Sequence, residues 1–184
     1  MKTKKIAVIV GSLRKESFNR KMALTLKSLS PDSLDLEILE IGGLPFYNED
    51  LDATPPVEWT NFRNRLSLFD GVFFVTPEYN RSVPAVLKNA LDVASRPYGK
   101  NCWNGKPGAV MTVSIGAIGG FGANHHLRQM LTFLNVPTMQ QPEAYIGNAY
   151  ELFDEKGNLT NESTRGFLQG FMASFAKWVV RNTD

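Results

Sequence analysis

Three segments of this chain gather residues able to hold an anion and a planar ring. The first is Gly11-Ser12-Leu13-Arg14-Lys15-Glu16-Ser17-Phe18-Asn19. It follows the β-branched apolar run at residues 6–10 and precedes Met22, Ala23, Leu26 and Leu29 at helical spacing. A helix amino terminus carries unpaired N–H groups and partial positive charge, so it favours phosphate. Ser12, Ser17 and Asn19 add polar groups, and Arg14 adds a charge-assisted bond. The segment has neither a Gly-Lys-Ser/Thr ending nor a G-x-G-x-x-G pattern. A mononucleotide phosphate therefore fits better than a triphosphate or a dinucleotide pyrophosphate. An ordinary capping loop, with Ser17 or Asn19 as the cap, explains the same residues.

The second segment is Thr76-Pro77-Glu78-Tyr79-Asn80-Arg81-Ser82-Val83-Pro84. Two prolines stiffen its ends, and Ser82 before Pro84 is consistent with a helix start. A rigid loop can present backbone N–H and C=O groups to one edge of a planar heterocycle, which is what a flavin requires. A capped loop with Glu78 and Tyr79 merely exposed is the plainer alternative. The third segment, Ser114-Ile115-Gly116-Ala117-Ile118-Gly119-Gly120-Phe121-Gly122, has four glycines in nine residues. Glycine permits close backbone approach, so the segment reads as a wall for the ring or as a flexible connection.

The elements that must position these segments follow from hydrophobic patterning. Buried strands are predicted over residues 6–10, 71–76 and 109–114, with further strands at 34–41 and 138–146. Helices are predicted over 19–29, 57–68, 84–94, 123–134 and 162–181. Residues 42–56 form a long loop. Strict strand–helix alternation predicts a doubly wound parallel α/β fold of the flavodoxin-like kind, five strands in order 2-1-3-4-5 with helices on both faces. Ligands then bind beyond the carboxyl ends of strands 1, 3 and 4, where the three segments lie.

Composition narrows the function classes. The chain has 184 residues, 43% apolar and 21% charged, in keeping with one folded domain over 1–184. A single cysteine, Cys102, rules out an intrachain disulfide, and one Cys with two His offers no dedicated zinc set. His125 and His126 are adjacent and cannot grip one metal as i, i+4 ligands do. No apolar run is long enough for a membrane span or a signal segment, so a cytoplasmic setting without membrane partners is expected. The net charge of +2 hides an asymmetry. Residues 1–28 hold eight bases and one acid, while residues 29–58 hold eight acids and no base. Lys2, Lys4 and Lys5 lie at the far end of strand 1 from Arg14 and Lys15, so no nucleic-acid surface is expected, although one small anion is. The acidic stretch reads as a solvated face.

Taken together, Gly11-Ser-Leu-Arg-x-x-Ser-x-Asn19 and Thr76-Pro-Glu-Tyr-Asn-x-Ser-x-Pro84-x-x-Leu87-Lys88-Asn89-Ala90-x-Asp92 resemble the NAD(P)H-dependent FMN reductase family. The likeness is greatest to its bacterial chromate- and quinone-reducing members, and it continues through His126-Leu127-Arg128-Gln129. The resemblance implies FMN as cofactor, NADH or NADPH as donor, and a homodimer or homotetramer. By resemblance, Ser12, Arg14, Ser17 and Asn19 hold the FMN phosphate. Pro77, Glu78, Tyr79 and Asn80 hold the isoalloxazine ring, and Ser114 and Gly116 line it. Arg81, Arg128, Glu143 and Tyr145 are candidate interface residues, with solvated surface as the alternative. Flavin N5 then carries the hydride chemistry, and no catalytic side chain and no metal are expected. Small-molecule acceptors such as quinones, free flavins, azo and nitro compounds or chromate follow, in a ping-pong sequence. A flavodoxin-type electron carrier and a non-enzymatic binding module on the same fold are the alternatives. Carriers of that type are strongly acidic, unlike this chain.

Overall fold

The computed structural model describes residues 2–183. Its elements run β1 (Lys4–Val10), α1 (Phe18–Ser28), β2 (Leu34–Ile38), α2 (Val57–Ser67), β3 (Gly71–Thr76), α3 (Ala85–Ala94), β4 (Gly108–Val113), α4 (Phe121–Phe133), β5 (Ala144–Ile146) and α5 (Glu162–Thr183). All strand pairs are parallel and the sheet order is β2-β1-β3-β4-β5. This is the flavodoxin-like topology expected from the sequence.

Successive strand residues point to opposite faces, and the chain fills both. Ile6, Val8, Val10, Phe73, Val75 and Met111 pack beneath α1 and α5 against Met22, Leu26, Phe171 and Phe175. Ala7, Ile9, Val72, Phe74 and Val110 pack on the other face beneath α2, α3 and α4 against Trp59, Phe62, Leu87, Leu127 and Leu131. Every residue of β3 and β4 is buried, which is why these strands read as unbroken apolar runs. No helix among the described residues is long and apolar enough to cross a membrane.

Two predicted strands are shorter than expected. Residues 34–41 alternate apolar and acidic, but β2 stops at Ile38. The Leu39 amide makes one last bond to the Val8 carbonyl at 3.0 Å, after which Leu39 and Ile41 cross to the core of the second face. The predicted strand at 138–146 splits. Thr138 makes an isolated bridge to Gly108, and β5 proper is only Ala144–Ile146. Pro142 lies between them and has no N–H to donate to a ladder. Helix α3 starts at Ala85, with Pro84 at the cap position and no side-chain cap; Ser82 pairs its backbone with Tyr79 instead. On α5, Phe171 and Phe175 are buried, while Phe167 is exposed.

The long loop at 42–56 is fastened by one side chain. Asn89 of α3 is buried and accepts from the Tyr47 amide at 2.8 Å. Its Nδ2 donates to the Leu44 and Pro45 carbonyls at 3.2 and 3.1 Å. Trp59 of α2 donates from Nε1 to the same Pro45 carbonyl at 2.9 Å. Replacing Asn89 by Ala strands these partly buried groups without partners. We expect a loss of about 2 kcal/mol in urea unfolding and faster hydrogen exchange at the Tyr47 amide. Unchanged exchange there would show that the loop is held by other contacts.

Candidate active site

At the carboxyl edge of the sheet, β1 and β3 approach so closely that a Cβ on Gly11 would lie 2.2 Å from Thr76 Oγ1. Only glycine fits there. Beyond this point the loops after β1, β3 and β4 diverge around a cleft of about 180 Å³. Ser12, Arg14, Ser17 and Asn19 form one wall, Pro77, Glu78 and Tyr79 a second, and Ser114 closes the third. Eight of the ten residues expected to touch a cofactor are thus brought together. Asn80 and Gly116 are not part of the wall. Asn80 forms a turn, and the Gly116 amide donates to Ser114 Oγ at 3.2 Å. Phe18, Val113 and Ile115 also line the cleft, and none was expected there. Phe18 stacks on Phe153, with ring centres 6.2 Å apart. No helical periodicity marks it, because it stands at the first helical position between two polar residues.

The amino terminus of α1 opens into this cleft. Ser17 is the cap, and its Oγ accepts from the Arg20 amide at 3.2 Å. The amides from Ser12 through Asn19 have no protein acceptor among the described residues. The first turn contains no acid. Arg14 is exposed and has no ion-pair partner among the described residues. Asn19 does not cap the helix. It is buried, and its Nδ2 donates to the Val113 carbonyl at 3.2 Å, tying α1 to the end of β4. Its Oδ1 is buried without a hydrogen-bond partner.

Glu78 takes a different part from its neighbours. Its Oε2 accepts from the Ala123 amide at 3.0 Å, within the first turn of α4. Its Oε1 accepts from Arg81 Nη1 at 3.0 Å. Gly120, the cap residue of α4, has φ +78° and no side chain to offer, so the carboxylate of Glu78 caps this helix from 45 residues away. Only the backbone of Glu78 remains for a ligand. Between Tyr79 and Ser82 the two amides and carbonyls exchange 2.9 Å bonds, and Asn80 and Arg81 both have positive φ, 50° and 65°. This is a two-residue hairpin turn of the I′ kind. Asparagine tolerates that geometry, but an arginine there costs about 1 kcal/mol.

The remaining candidates are dispersed. Arg128 turns inward, donating from Nε to Asn124 Oδ1 at 2.8 Å and from Nη1 to the Met139 carbonyl at 3.0 Å. Tyr145 Oη lies 3.1 Å from His125 Nε2. Burial, with the hydrogen bond to Glu143 and its charge, pushes the Tyr145 phenol up to about 12. His126 Nδ1 lies 3.0 Å from Ser82 Oγ, so the two histidines serve different loops. Burial raises the Cys102 thiol. A larger concavity of about 640 Å³ lies between α3 and α4, lined by Leu91, Tyr98, Met130 and Phe133. It shares no residue with the three loops, so its size does not make it the reactive site.

The cap supplied by Glu78 is testable. Glu78→Ala leaves the first turn of α4 uncapped, with an expected loss of about 1–2 kcal/mol in urea unfolding. Glu78→Gln keeps an acceptor oxygen and restores more than half of that loss. Equal stability of the two variants would show that the carboxylate does not cap α4.

A sequence profile described as NADPH-dependent FMN reductase matches residues 4–151. A quinone reductase of Pseudomonas putida is 61% identical over 178 residues, covering 96% of this chain and 95% of that protein. A 2-hydroxy-1,4-benzoquinone reductase of a Burkholderia species is 49% identical over 175 residues, covering 95% and 96%. Among solved structures, FerB, a flavoenzyme NAD(P)H:(acceptor) oxidoreductase from Paracoccus denitrificans, superposes with a TM-score of 0.92 at 43% identity, covering 98% and 99%. Sheet order, the phosphate-competent α1 terminus and these likenesses over nearly the whole chain agree: the chain belongs to the NADPH-dependent FMN reductase family.

Proposed function

We propose that this FMN-dependent NAD(P)H oxidoreductase reduces quinones, with other flat or oxidising small molecules as secondary acceptors. The observation that carries the reading is the α1 terminus, where free amides and an unpaired Arg14 open on one cleft and the partnerless Asn19 Oδ1 lies buried in its wall. FMN fits this donor and acceptor set. Its phosphate suits the amides, Ser12, Ser17 and Arg14, and a ribityl hydroxyl can donate to Asn19 Oδ1. The amide and carbonyl of Glu78, which have no partner among the described residues, and the hydroxyl of Ser114 remain for the ring. When bound, FMN supplies the centre that accepts hydride and passes electrons to the acceptor.

The chain's own residues bind, orient and exclude. Arg14 and the α1 dipole neutralise phosphate charge. The two-bond turn at Tyr79 and Ser82 keeps the loop after β3 rigid, so its backbone groups meet the ring without reorganisation. No side chain in the wall need act as an acid or base. Tyr79 and Ile115, both half-exposed or more, flank the mouth with apolar surface. Such a mouth admits quinones, free flavins, azo and nitro compounds by stacking, and chromate by size. Donor and acceptor share one mouth and so visit in turn, the basis for a ping-pong sequence. The quinone preference draws on the names of the two relatives.

A homodimer is part of the same reading. Tyr98 and Phe133 are 91% and 90% exposed on the rim of the groove between α3 and α4. Apolar surface so open marks an association site, and it adjoins the helix that follows the Pro-Glu-Tyr-Asn loop.

Purified protein is expected to be yellow, or to become so with FMN, and to bleach anaerobically with NADH or NADPH. A colourless protein that takes up no FMN refutes the reading. Arg14→Ala is expected to weaken FMN binding ten- to hundredfold, about 1.5–3 kcal/mol, in a fluorescence titration. Phe133→Asp is expected to shift the sedimenting mass towards monomer. An unaltered mass would place the subunit contact elsewhere.

A further inference from the structure

We propose that Arg81 selects the electron donor by receiving the 2′-phosphate that distinguishes NADPH from NADH. The assignment rests on the reading that a nicotinamide nucleotide enters at the mouth beside Tyr79. Arg81 occupies the second tip position of the turn that follows Tyr79, with φ +65°, a conformation that L side chains rarely adopt and glycine adopts freely. Strain retained at a ligand mouth points to a use for the side chain. That side chain is 73% exposed. Glu78 Oε1 engages only Nη1, and Nε and Nη2 have no partner among the described residues. The carboxylate therefore steadies the guanidinium at one corner and leaves its other N–H groups open. A phosphate dianion accepts two such N–H groups in parallel, which an ammonium cannot reproduce. Arginine near the nucleotide is also the usual means of accommodating a 2′-phosphate on doubly wound sheets.

The surroundings support this assignment. Ser82 Oγ and His126 Nδ1, 3.0 Å apart, stand at the next position of the turn and offer further polar groups. Other cations of α1 and α3 are likewise paired, and lie on helices rather than on the loop beside Tyr79. Arg20 pairs with Glu40 at 2.7 Å, Lys21 with Glu16 at 3.5 Å, and Lys88 with Asp92 at 2.7 Å. Arg14 lines the cleft itself, with Lys15 next to it in sequence on the α1 side, where the cofactor's own phosphate is assigned. Arg81 is the cation on the other side, two residues beyond Tyr79 of the opposite wall.

The test compares FMN-loaded wild type, Arg81→Gly and Arg81→Lys. Glycine suits the backbone of the turn, so the first variant is expected to fold, and the second retains the charge without the planar fork. For Arg81→Gly the KM for NADPH should rise at least tenfold relative to any change in the KM for NADH. Calorimetric titration should show a matching loss of affinity for adenosine 2′,5′-bisphosphate and none for adenosine 5′-monophosphate. Arg81→Lys should fall between. An equal rise for both donors, which would mean a contact to the shared pyrophosphate, overturns the assignment. So does no rise for either, or a changed sedimenting mass in Arg81→Gly, which would make this residue a subunit contact. Should neither donor reduce the wild type, the functional reading fails, and the adenosine bisphosphate titration still decides the fate of Arg81.

Discussion

The bond between Glu78 and the first turn of α4 holds the active edge together. Strands β3 and β4 are neighbours, but their loops leave the sheet separately and nothing in the ladder joins them. The Glu78 carboxylate joins them by accepting from the Ala123 amide. The close fit around it leaves no spare room. A Cβ on Gly122 would come within 3.0 Å of Glu78 Oε2 and 2.9 Å of the Arg81 carbonyl, and one on Gly120 within 2.9 Å of Thr112 Cβ. The glycine-rich segment is therefore not a flexible connection. It is glycine-rich because two loops and a strand end meet there at backbone distance. Asn124, one residue further along α4, extends the junction inward, with its Nδ2 within 3.5 Å of Thr112 Oγ1 and 3.4 Å of the Ala144 carbonyl.

The same bond decides where an anion goes. The helices that follow β1, β3 and β4 all begin at this edge of the sheet, and the termini of α1 and α4 could each bind phosphate on dipole grounds alone. The positive end of α4 already holds a carboxylate. The positive end of α1 holds only the hydroxyl of its own cap, has no acid in its first turn, and leaves its other amides free. On the proposed reading, a phosphate therefore goes to α1. On the same reading the loop after β3 meets a ring with the backbone of Glu78, since the carboxylate of that residue is bonded to α4 and Arg81. This division of labour is not visible in a motif, where Glu78 stands between Pro77 and Tyr79 as though it shared their task.

Legibility in the sequence followed the local or distant origin of each feature. Strand β3 is readable to the residue because burial on both faces leaves an uninterrupted apolar run. Strand β5 is not, because its ends depend on which amides of an edge segment reach β4, and Pro142 interrupts them. The walls from Ser12 to Asn19 and from Pro77 to Tyr79 could be foreseen from residue types next to strand ends. Phe18 could not, since its place depends on Phe153 in a loop far along the chain. The roles of Glu78 and Asn89 were hidden for a like reason. Each side chain bonds to backbone more than 40 residues away, and no spacing rule encodes a partner that is itself main chain.

Charge distribution is the last feature that only the fold makes intelligible. The acidic stretch at residues 29–58 is not simply a solvated face. Glu40 pairs with Arg20, Glu37 with Arg65, and Asp52 approaches Arg63 at 4.0 Å while also accepting from Tyr47 Oη at 3.0 Å. Exposed pairs such as the first two add little stability, about 0–1 kcal/mol each. Their effect is on the local field. They neutralise bases on α1 and α2 and leave Arg14 and Lys15 without acidic partners among the described residues. Positive charge without an ion-pair partner thus remains on the loop that opens into the cleft. A protein of net charge +2 can in this way present a strongly cationic spot to one small anion and little cationic surface to a polyanion.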